Sequence, residues 1–288
     1  LAIMTELPLV VINVQRGGPS TGLPTKTEQS DLLQAMYGRN GEAPLAIVAA
    51  SSPSDCFDSA FEACRIALEH MIPVILLTDG YIANGSEPWK IPNIKDISKI
   101  KTNLISDSKK EFFPYKRDNK TMARSWAIPG VKGLEHRVGG LEKEDQTGNV
   151  SYDSINHQNM TDVRQKKIDA IADSIPLLET YGDDSGSLLL VSWGGTYGSV
   201  RSAVDYAISN NLSVSHIHIK HINPFAKNLG DILLKFENIL VPELNAGQLS
   251  VILRNKFLID SIGLNKVEGK PFTTGEIYSK ILNILGKK

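Results

Sequence analysis

Short apolar segments bounded by glycine or proline alternate along this chain with segments of helical periodicity. In the first half the strand-like segments cover residues 9–14, 45–49 and 74–77. A helical pattern occupies residues 53–70, with Ser54 or Asp55 as its cap. Continuous apolar strands of this kind are typical of a parallel sheet covered on both faces. The pattern therefore predicts a βαβ arrangement and an α/β fold.

The second half repeats this alternation after a helix predicted over residues 159–180. The elements predicted beyond it are strands at 188–192, 214–219 and 239–242 and helices at 200–210 and 275–285. Between the halves, residues 80–150 lose regular periodicity and are predicted to form a long irregular excursion. We predict two parallel-sheet α/β domains, residues 1–155 and 156–288. The opening residues LAIMTELP look like the end of a helix, so we expect the chain to begin inside a fold.

Composition and charge exclude several classes of function. Hydrophobic residues make up 41% of the 288 residues and charged residues 22%, as in ordinary globular proteins. The 31 basic and 32 acidic side chains leave no overall field that would attract nucleic acid, and no apolar segment reaches the length of a membrane span. Cys56 and Cys64 provide neither a disulfide framework nor the four thiolates of an iron–sulfur cluster. We expect a cytoplasmic protein that binds neither nucleic acid nor membrane.

The candidate chemistry is concentrated after the first strand, in VQRGGPSTGLPTK, residues 14–26. Arg16 stands at the carboxyl end of that strand, where open parallel sheets bind their ligands. Its planar guanidinium matches a carboxylate or phosphate, and Gly17, Gly18 and Gly22 let backbone N–H groups approach an anion. The spacing fits neither the P-loop nor the dinucleotide-binding fingerprint, which disfavours a nucleotide phosphate. The alternative is a tight turn whose arginine pairs with a surface carboxylate.

Four further motifs have both a functional and a structural interpretation. In WGGTYG, glycines lie between a strand and a helix with Thr196 able to cap, and packing alone would also need small residues there. His216 and His218 alternate on one strand, but the sequence supplies no obvious further ligands for zinc. His136 lies in a site loop or in a solvated turn of the excursion. A basic cluster with interleaved aromatic residues is predicted to be a solvated or docking loop, because the total charge is nearly neutral; its members are Lys109, Lys110, Lys116, Arg117, Lys120 and Arg124.

Six blocks of the sequence resemble one family in order and spacing. They are ELPLVVINVQRGGPSTGLPTKTEQSDLLQAMYGRNGE, LLTDGYIANGSEPW, GLEHRVGGLEKEDQTGNVSYD, VSWGGTYGSVRSAVDYA, HINPF and VPELNAGQLSVILRNKFLID. The chain resembles the alpha subunit of 2-oxoacid:ferredoxin oxidoreductases, most closely the 2-oxoglutarate type, over nearly its whole length. The resemblance implies a partial thiamine-diphosphate-binding pyrimidine domain over residues 1–155 and a transketolase C-terminal-like domain over residues 156–288.

The implied reaction is the oxidative decarboxylation of a 2-oxoacid, here 2-oxoglutarate, with coenzyme A, giving acyl-CoA, CO2 and reduced ferredoxin. The resemblance implies a hetero-oligomer with dimeric symmetry, in which thiamine diphosphate is shared with a beta partner subunit. Mg²⁺ and a [4Fe-4S] cluster belong to that beta subunit, so no metal site is expected in this chain. Arg16 and Thr25 match the family's substrate-binding arginine and threonine. The catalytic residue stays unassigned, because the glutamate that activates thiamine is expected in an N-terminal part that this sequence lacks.

Two other functions stay open. A related thiamine-dependent dehydrogenase or transketolase-like subunit would use lipoyl groups or sugars in place of ferredoxin, and the RGGPSTGLPT block argues against it. A non-catalytic subunit that kept the fold is disfavoured by the intact Arg16 and Thr25. The preference for 2-oxoglutarate rests on overall resemblance alone, since a few pocket side chains worth about 1–3 kcal/mol each separate the 2-oxoacids from one another.

Overall fold

The computed structural model describes residues 1–107 and 111–287, so Lys109 and Lys110 of the basic cluster lie outside the described residues. In the first half the helices are α1 (Ala2–Thr5), α2 (Leu32–Tyr37), α3 (Asp55–His70) and α4 (Gly80–Asn84), and the strands are β1 (Leu9–Gln15), β2 (Ala46–Ala49), β3 (Pro73–Asp79), β4 (Leu104–Ile105) and β5 (Trp126–Ala127). In the second half the helices are α5 (Ser154–Ile171), α6 (Tyr197–Ser209), α7 (Leu229–Leu233), α8 (Gln248–Phe257) and α9 (Thr274–Ile284). The strands there are β6 (Gly186–Trp193), β7 (Val214–Ile219), β8 (His221–Asn223), β9 (Phe236–Glu243) and β10 (Ser261–Asn265).

Two four-stranded sheets form the framework and confirm the α/β class with parallel sheets. The first has the order β1-β3-β2-β8, and its three strands from the first half are parallel. The second has the order β10-β9-β6-β7 and is parallel throughout. The sequence pattern did not reveal β8, which comes from the second half and pairs antiparallel with β2 of the first sheet. Every residue of β2 is buried, which explains its continuous apolar sequence.

The largest hydrophobic core contains residues from both halves. Leu32, Ile47 and Leu77 from the first half belong to the same buried cluster as Trp193 and Val241 from the second. A second cluster joins the second sheet to α6 and α9, and a third joins the first sheet to α3 and α5. The shared core and the strand β8 both connect residues before position 155 with residues after it. The division into two domains at this position stays a prediction.

The helix α5 differs from its predicted bounds at both ends. It begins at Ser154, where the Asp153 side chain accepts a hydrogen bond of 2.7 Å from the Asn156 N–H. It ends at Ile171, nine residues before the predicted end, and the chain then tightens into a turn that continues to Ser174. Ile175 still packs into the core beyond this turn, which is why the apolar spacing resembled a longer helix.

The segment between α4 and α5 is mostly irregular, and buried charged side chains attach it to the rest of the chain. Between α4 and α5 the described residues contain one 3₁₀ turn and the two-residue strands β4 and β5. Arg117 donates to both carboxylate oxygens of Glu6 at 2.6 Å, and Lys167 from α5 donates to the same carboxylate. Arg124 and Tyr115 donate to the Thr5 carbonyl at 3.0 and 3.3 Å. The excursion is thus held at the end of α1, immediately before β1.

Candidate functional site

The loop after β1 lies at the carboxyl edge of the first sheet, as the sequence predicted. Gln15 fixes this edge, because its side chain donates to the Thr78 carbonyl at 3.1 Å and accepts from the Asp31 N–H at 3.0 Å. We name residues 16–26 the Arg16 loop. It closes through the Gly17 N–H, which donates to the Lys26 carbonyl at 2.9 Å. Arg16 and Thr25 each precede one of these two bonded residues, so the closure brings them to neighbouring positions.

Arg16 is half-buried and its guanidinium is held by its own loop. One terminal nitrogen donates to the carbonyls of Thr21 and Gly17 at 2.6 and 3.0 Å, and the other donates to the Ser20 carbonyl at 2.7 Å. These partners differ from the surface carboxylate that the structural alternative requires. Three of the five N–H donors of a guanidinium are used in this way. Two donors therefore remain without a partner among the described residues, on a cation whose position is already fixed.

Thr25 is exposed and adopts an uncommon backbone conformation. Its φ of 63° lies in the left-handed region, which is a genuine outlier for a β-branched residue. Such a conformation costs about 1–3 kcal/mol and persists only where the surroundings hold it, most often at ligand sites. The strained residue thus coincides with the threonine that the resemblance assigns to the substrate.

Gly17 and Gly22 are needed to close the Arg16 loop, and this role explains them without an anion. Gly22 has a φ of 45°, and a side chain there would overlap the Gly17 carbonyl oxygen and lie 2.8 Å from the Gly18 Cα. The Gly17 N–H is already used by Lys26. The Gly17 N–H is therefore not available to an anion, and Gly22 is explained by the turn.

Behind the loop, a buried carboxylate connects the two sheets. Asp79, the last residue of β3, accepts on Oδ1 from the Thr27 hydroxyl at 3.0 Å and from the N–H groups of Tyr81 and Ile82 at 2.8 and 3.1 Å. Its Oδ2 accepts from the Gly195 N–H at 3.1 Å. Gly195 is the second residue after the end of β6, so one carboxylate holds the loop, the start of α4 and the turn that follows a strand of the second sheet.

Gln29 makes a second connection between the sheets and has no exposed surface. Its side chain donates to the Trp193 carbonyl at 2.7 Å and accepts from the Leu244 N–H at 2.9 Å. Its backbone N–H donates to the Leu244 carbonyl at 2.9 Å, and its carbonyl accepts from the Asn245 side chain at 2.8 Å. The residues after the Arg16 loop are therefore bonded to the carboxyl ends of β6 and β9.

A buried glutamate supports this junction from the second sheet. Glu243 accepts from the Trp193 indole N–H at 3.2 Å and from the backbone N–H groups of Leu249 and Ser250 at 2.7 and 3.1 Å. Burial raises the pKa of its carboxyl above the usual range, although these hydrogen bonds oppose the rise. Glu243 thereby joins the end of β9 and the start of α8 to Trp193, whose carbonyl accepts the hydrogen bond from Gln29.

Sequence reasoning missed Thr27, Gln29 and Asp79, because a polar residue in a loop gives no sign that it is buried. Asp79 alone had a usable signal, since it stands between a predicted strand and Gly80. The WGGTYG turn is explained by this junction, because a side chain at position 195 would lie 3.0 Å from the Asp79 Cγ. Thr196 occupies the N-cap position of α6, but its side chain makes no capping hydrogen bond, because its hydroxyl donates to the Trp193 carbonyl at 2.8 Å.

The histidine motifs have structural partners. His216 and His218 each approach the Ser192 hydroxyl to 2.7 Å, and burial lowers their pKa values to about 3 and about 4. The His136 Nδ1 lies 2.9 Å from the Leu134 carbonyl of its own turn. Within residues 1–107 and 111–287, no group of three or more His, Cys, Asp or Glu side chains could hold a metal ion. Cys56 and Cys64 are both free thiols.

None of the helices in the described part of the chain combines the length and apolar character that crossing a bilayer requires.

With this geometry established, comparison with known proteins identifies the family. Residues 1–154 match the thiamine-diphosphate-binding model of the pyruvate flavodoxin/ferredoxin oxidoreductases. The chain is 52% identical to the 2-oxoglutarate oxidoreductase subunit KorA of Mycobacterium tuberculosis, over 96% of this chain and 42% of that relative. It is 30% identical to the 2-oxoglutarate synthase subunit KorA of Methanothermobacter marburgensis, over 100% of this chain and 76% of that relative.

A solved structure agrees over almost the whole fold. The 2-oxoglutarate:ferredoxin oxidoreductase of Magnetococcus marinus, solved with 2-oxoglutarate, coenzyme A and succinyl-CoA bound, superposes with a TM-score of 0.92 at 30% identity. The match covers 99% of this chain and 50% of that chain. The fold and the sequence together define a thiamine-diphosphate-binding α/β protein. The chain belongs to the pyruvate flavodoxin/ferredoxin oxidoreductase family, and it spans about half the length of the Mycobacterium tuberculosis subunit and of the Magnetococcus marinus chain.

Proposed function

We propose that this chain is the substrate-binding part of the alpha subunit of a 2-oxoglutarate:ferredoxin oxidoreductase. The enzyme would convert 2-oxoglutarate and coenzyme A to succinyl-CoA and CO2, and pass two electrons singly to ferredoxin. The names of the two KorA relatives and the ligands in the Magnetococcus marinus enzyme support this choice of 2-oxoacid. The chain would be active only with a beta partner subunit, in a cytoplasmic hetero-oligomer with dimeric symmetry.

The observation that carries the proposal is the fixed guanidinium of Arg16 at the carboxyl edge of the sheet. Its two remaining N–H donors can bind one carboxylate of the 2-oxoacid, and the exposed Thr25 can offer its hydroxyl to the same ligand. Because three loop carbonyls already orient the cation, binding requires little rearrangement of the side chain. Arg16 and Thr25 would thereby hold the anionic end of the substrate and orient its keto carbon.

Thiamine diphosphate is the cofactor that the family implies, and when bound it supplies the electron sink for decarboxylation. Asp79 does not fit the carboxylate that activates the aminopyrimidine, because its oxygens already accept four hydrogen bonds. Asp79 is therefore excluded from this role, and we propose, as the resemblance implies, that a glutamate outside residues 1–288 performs it. We further propose that Mg²⁺ and the [4Fe-4S] cluster reside on the beta subunit.

The test is the Arg16→Ala variant of the full-length alpha subunit, coexpressed with its beta partner and assayed by 2-oxoglutarate-dependent reduction of a viologen dye. Loss of a preorganised charge contact should remove about 2–4 kcal/mol of transition-state stabilisation, or about 30- to 900-fold in kcat/KM for the 2-oxoacid. Arg16→Lys should recover only part of this, because an ammonium lacks the planar fork. The KM for coenzyme A should stay unchanged.

Arg254→Ala is the matched control, since Arg254 is 53% exposed and pairs with Asp260 on the surface. It should turn over 2-oxoglutarate like the wild type. The assigned role of Arg16 is refuted if Arg16→Ala keeps wild-type kcat/KM at limiting 2-oxoglutarate. Turnover across a panel of 2-oxoacids would also test the substrate, and equal rates with pyruvate would contradict the preference for 2-oxoglutarate.

A further inference from the structure

The Arg16 loop contains two left-handed residues whose backbone conformation needs support from its surroundings. Thr25 and Ser20 have left-handed backbones at φ 63° and 54°, and the tip of the loop is exposed. Its internal backbone hydrogen bonds include those from Gly17 N–H to the Lys26 carbonyl and from Leu23 N–H to the Gly17 carbonyl, at 2.9 and 3.0 Å. A left-handed threonine persists only if its surroundings over-determine the backbone. Buried residues beside the loop are therefore candidates for completing the support that its internal hydrogen bonds give.

The holding contacts begin two residues after Thr25. The Thr27 hydroxyl, on a residue that is 4% exposed, donates to Asp79, which is 1% exposed and also receives the Gly195 N–H. Gln29 follows and bonds to Trp193 and Leu244 through both ends of its amide. Each of these bonds is buried and directional, so together they fix the backbone from position 27 onward relative to the second sheet.

We propose that Thr27, Gln29 and Asp79 are positioning residues for the 2-oxoacid, and that they act by holding Arg16 and Thr25 in their binding geometry. The inference rests on the proposed function, since it assumes that the Arg16 loop binds the substrate. All three are buried, so their proposed role does not require contact with the ligand. Their effect is transmitted by the backbone of residues 25–29. The hydrogen bonds of the three residues hold this backbone in place relative to the carboxyl ends of β6 and β9 in the second sheet.

The test compares Thr27→Val with Thr27→Ser in the full-length enzyme with its partner subunit. Valine has the shape of threonine but lacks the hydroxyl, while Asp79 keeps the N–H groups of Tyr81 and Ile82. Misplacement of a binding group by about 1 Å costs up to about 100-fold, so Thr27→Val should lower kcat/KM for 2-oxoglutarate by about 10- to 100-fold. The KM for coenzyme A should not change. Thr27→Ser should restore kcat/KM to within about twofold of wild type, because it keeps the bond to Asp79.

A double variant separates positioning from a general structural effect. In an Arg16→Ala background, Thr27→Val should cause a smaller further loss than in the wild type, because the part of its effect that acts through Arg16 is already gone and only the part through Thr25 remains. A full additional loss in that background would overturn the proposal. Equal losses for Thr27→Val and Thr27→Ser, or an equal rise in the KM for coenzyme A, would also overturn it.

Hydrogen exchange of the peptide covering residues 16–26 provides a readout that does not depend on turnover. Thr27→Val should speed exchange in this peptide, and Thr27→Ser should not. If Arg16→Ala leaves 2-oxoglutarate turnover intact, the proposed function fails, yet exchange still reports whether Thr27 holds the loop. If Thr27→Val does not assemble with its partner, Asp79→Asn replaces it, because its amide keeps the Oδ1 acceptor but repels the Gly195 N–H. Unchanged exchange and kinetics in Asp79→Asn would then refute the proposal.

Discussion

Replacing Glu6 by glutamine should destabilise the fold strongly although the side chain keeps its shape. Glu6 is 2% exposed, and its two carboxylate oxygens each accept a hydrogen bond of 2.6 Å from Arg117. The carboxylate also forms an ion pair with Lys167, whose side chain is 1% exposed. Glu6→Gln leaves these two buried cations without their counter-charge. Removing one partner of a buried ion pair costs about 3–5 kcal/mol, and we expect a loss in this range.

The pKa of Glu6 supports a similar magnitude. Burial acts to raise this pKa, but Lys167 and Arg117 outweigh burial and lower it to about 2. Burial lowers the pKa of Lys167 to about 8, so Lys167 still carries its proton at pH 7. An unfolded glutamate has a pKa of about 4.3, so the lowered pKa of Glu6 stabilises the folded state by about 3 kcal/mol at pH 7. That stability is fully present above the unfolded pKa and is lost as the pH falls towards 2.

The assay is urea unfolding of the full-length wild type and variants at pH 7 and pH 3, followed by far-UV circular dichroism. Glu42→Gln is the control, because Glu42 is exposed, and it should change the free energy of unfolding by less than about 0.5 kcal/mol. The difference between wild type and Glu6→Gln should shrink at pH 3, since this pH lies between the unfolded and the folded pKa of Glu6 and part of the stability from its lowered pKa is already lost. A loss no larger than that of Glu42→Gln, or a difference that is unchanged at low pH, would refute the reasoning.

Two further outcomes follow from the same structure. Gly22→Ala should lower kcat/KM for 2-oxoglutarate by about tenfold or more, because its side chain would displace the Gly17 carbonyl, whereas Gly139→Ala, which has open space around it, should behave as wild type in the viologen assay. The pKa of His216 is lowered to about 3 by burial, so its contribution to stability is complete above pH 6.5 and falls as the pH decreases towards 3. His216→Gln should therefore lose less stability than the wild type between pH 7 and pH 4.5 in urea unfolding, and an identical loss would contradict this.

The fold was predictable where a local apolar pattern coincides with burial on both faces. The strand β7 was predicted with its observed bounds, and the helix α3 within two residues, because their apolar positions report directly on the core. The strand β8 was not predictable, because its three residues have no periodicity and its partner β2 lies more than 160 residues earlier. Pairing over such a distance is set by tertiary packing and leaves no local signal.

The position of the Arg16 loop in the fold was predictable, but its contacts were predictable only in part. The place of Arg16 follows from the end of a parallel strand, which the apolar pattern marks. Its carbonyl partners at Ser20 and Thr21 depend on the path of the turn, which residue types alone do not define. Thr27 and Gln29 read as ordinary loop residues, because burial of a polar side chain becomes visible only when its hydrogen-bond partners are in place.

The strand β8 limits how this protein can be recombined with its relatives. Asn223 of β8 lies opposite Ile47 in β2, and its side chain donates to the Leu45 carbonyl at 2.7 Å. A chimaera that joined residues 1–155 of one homologue to the remainder of another would take β2 and β8 from different proteins, and the two strands would still have to pair. Viable crossover points should therefore lie beyond Asn223, so that β2 and β8 come from the same homologue, even though the sequence alone predicts a domain boundary near residue 155.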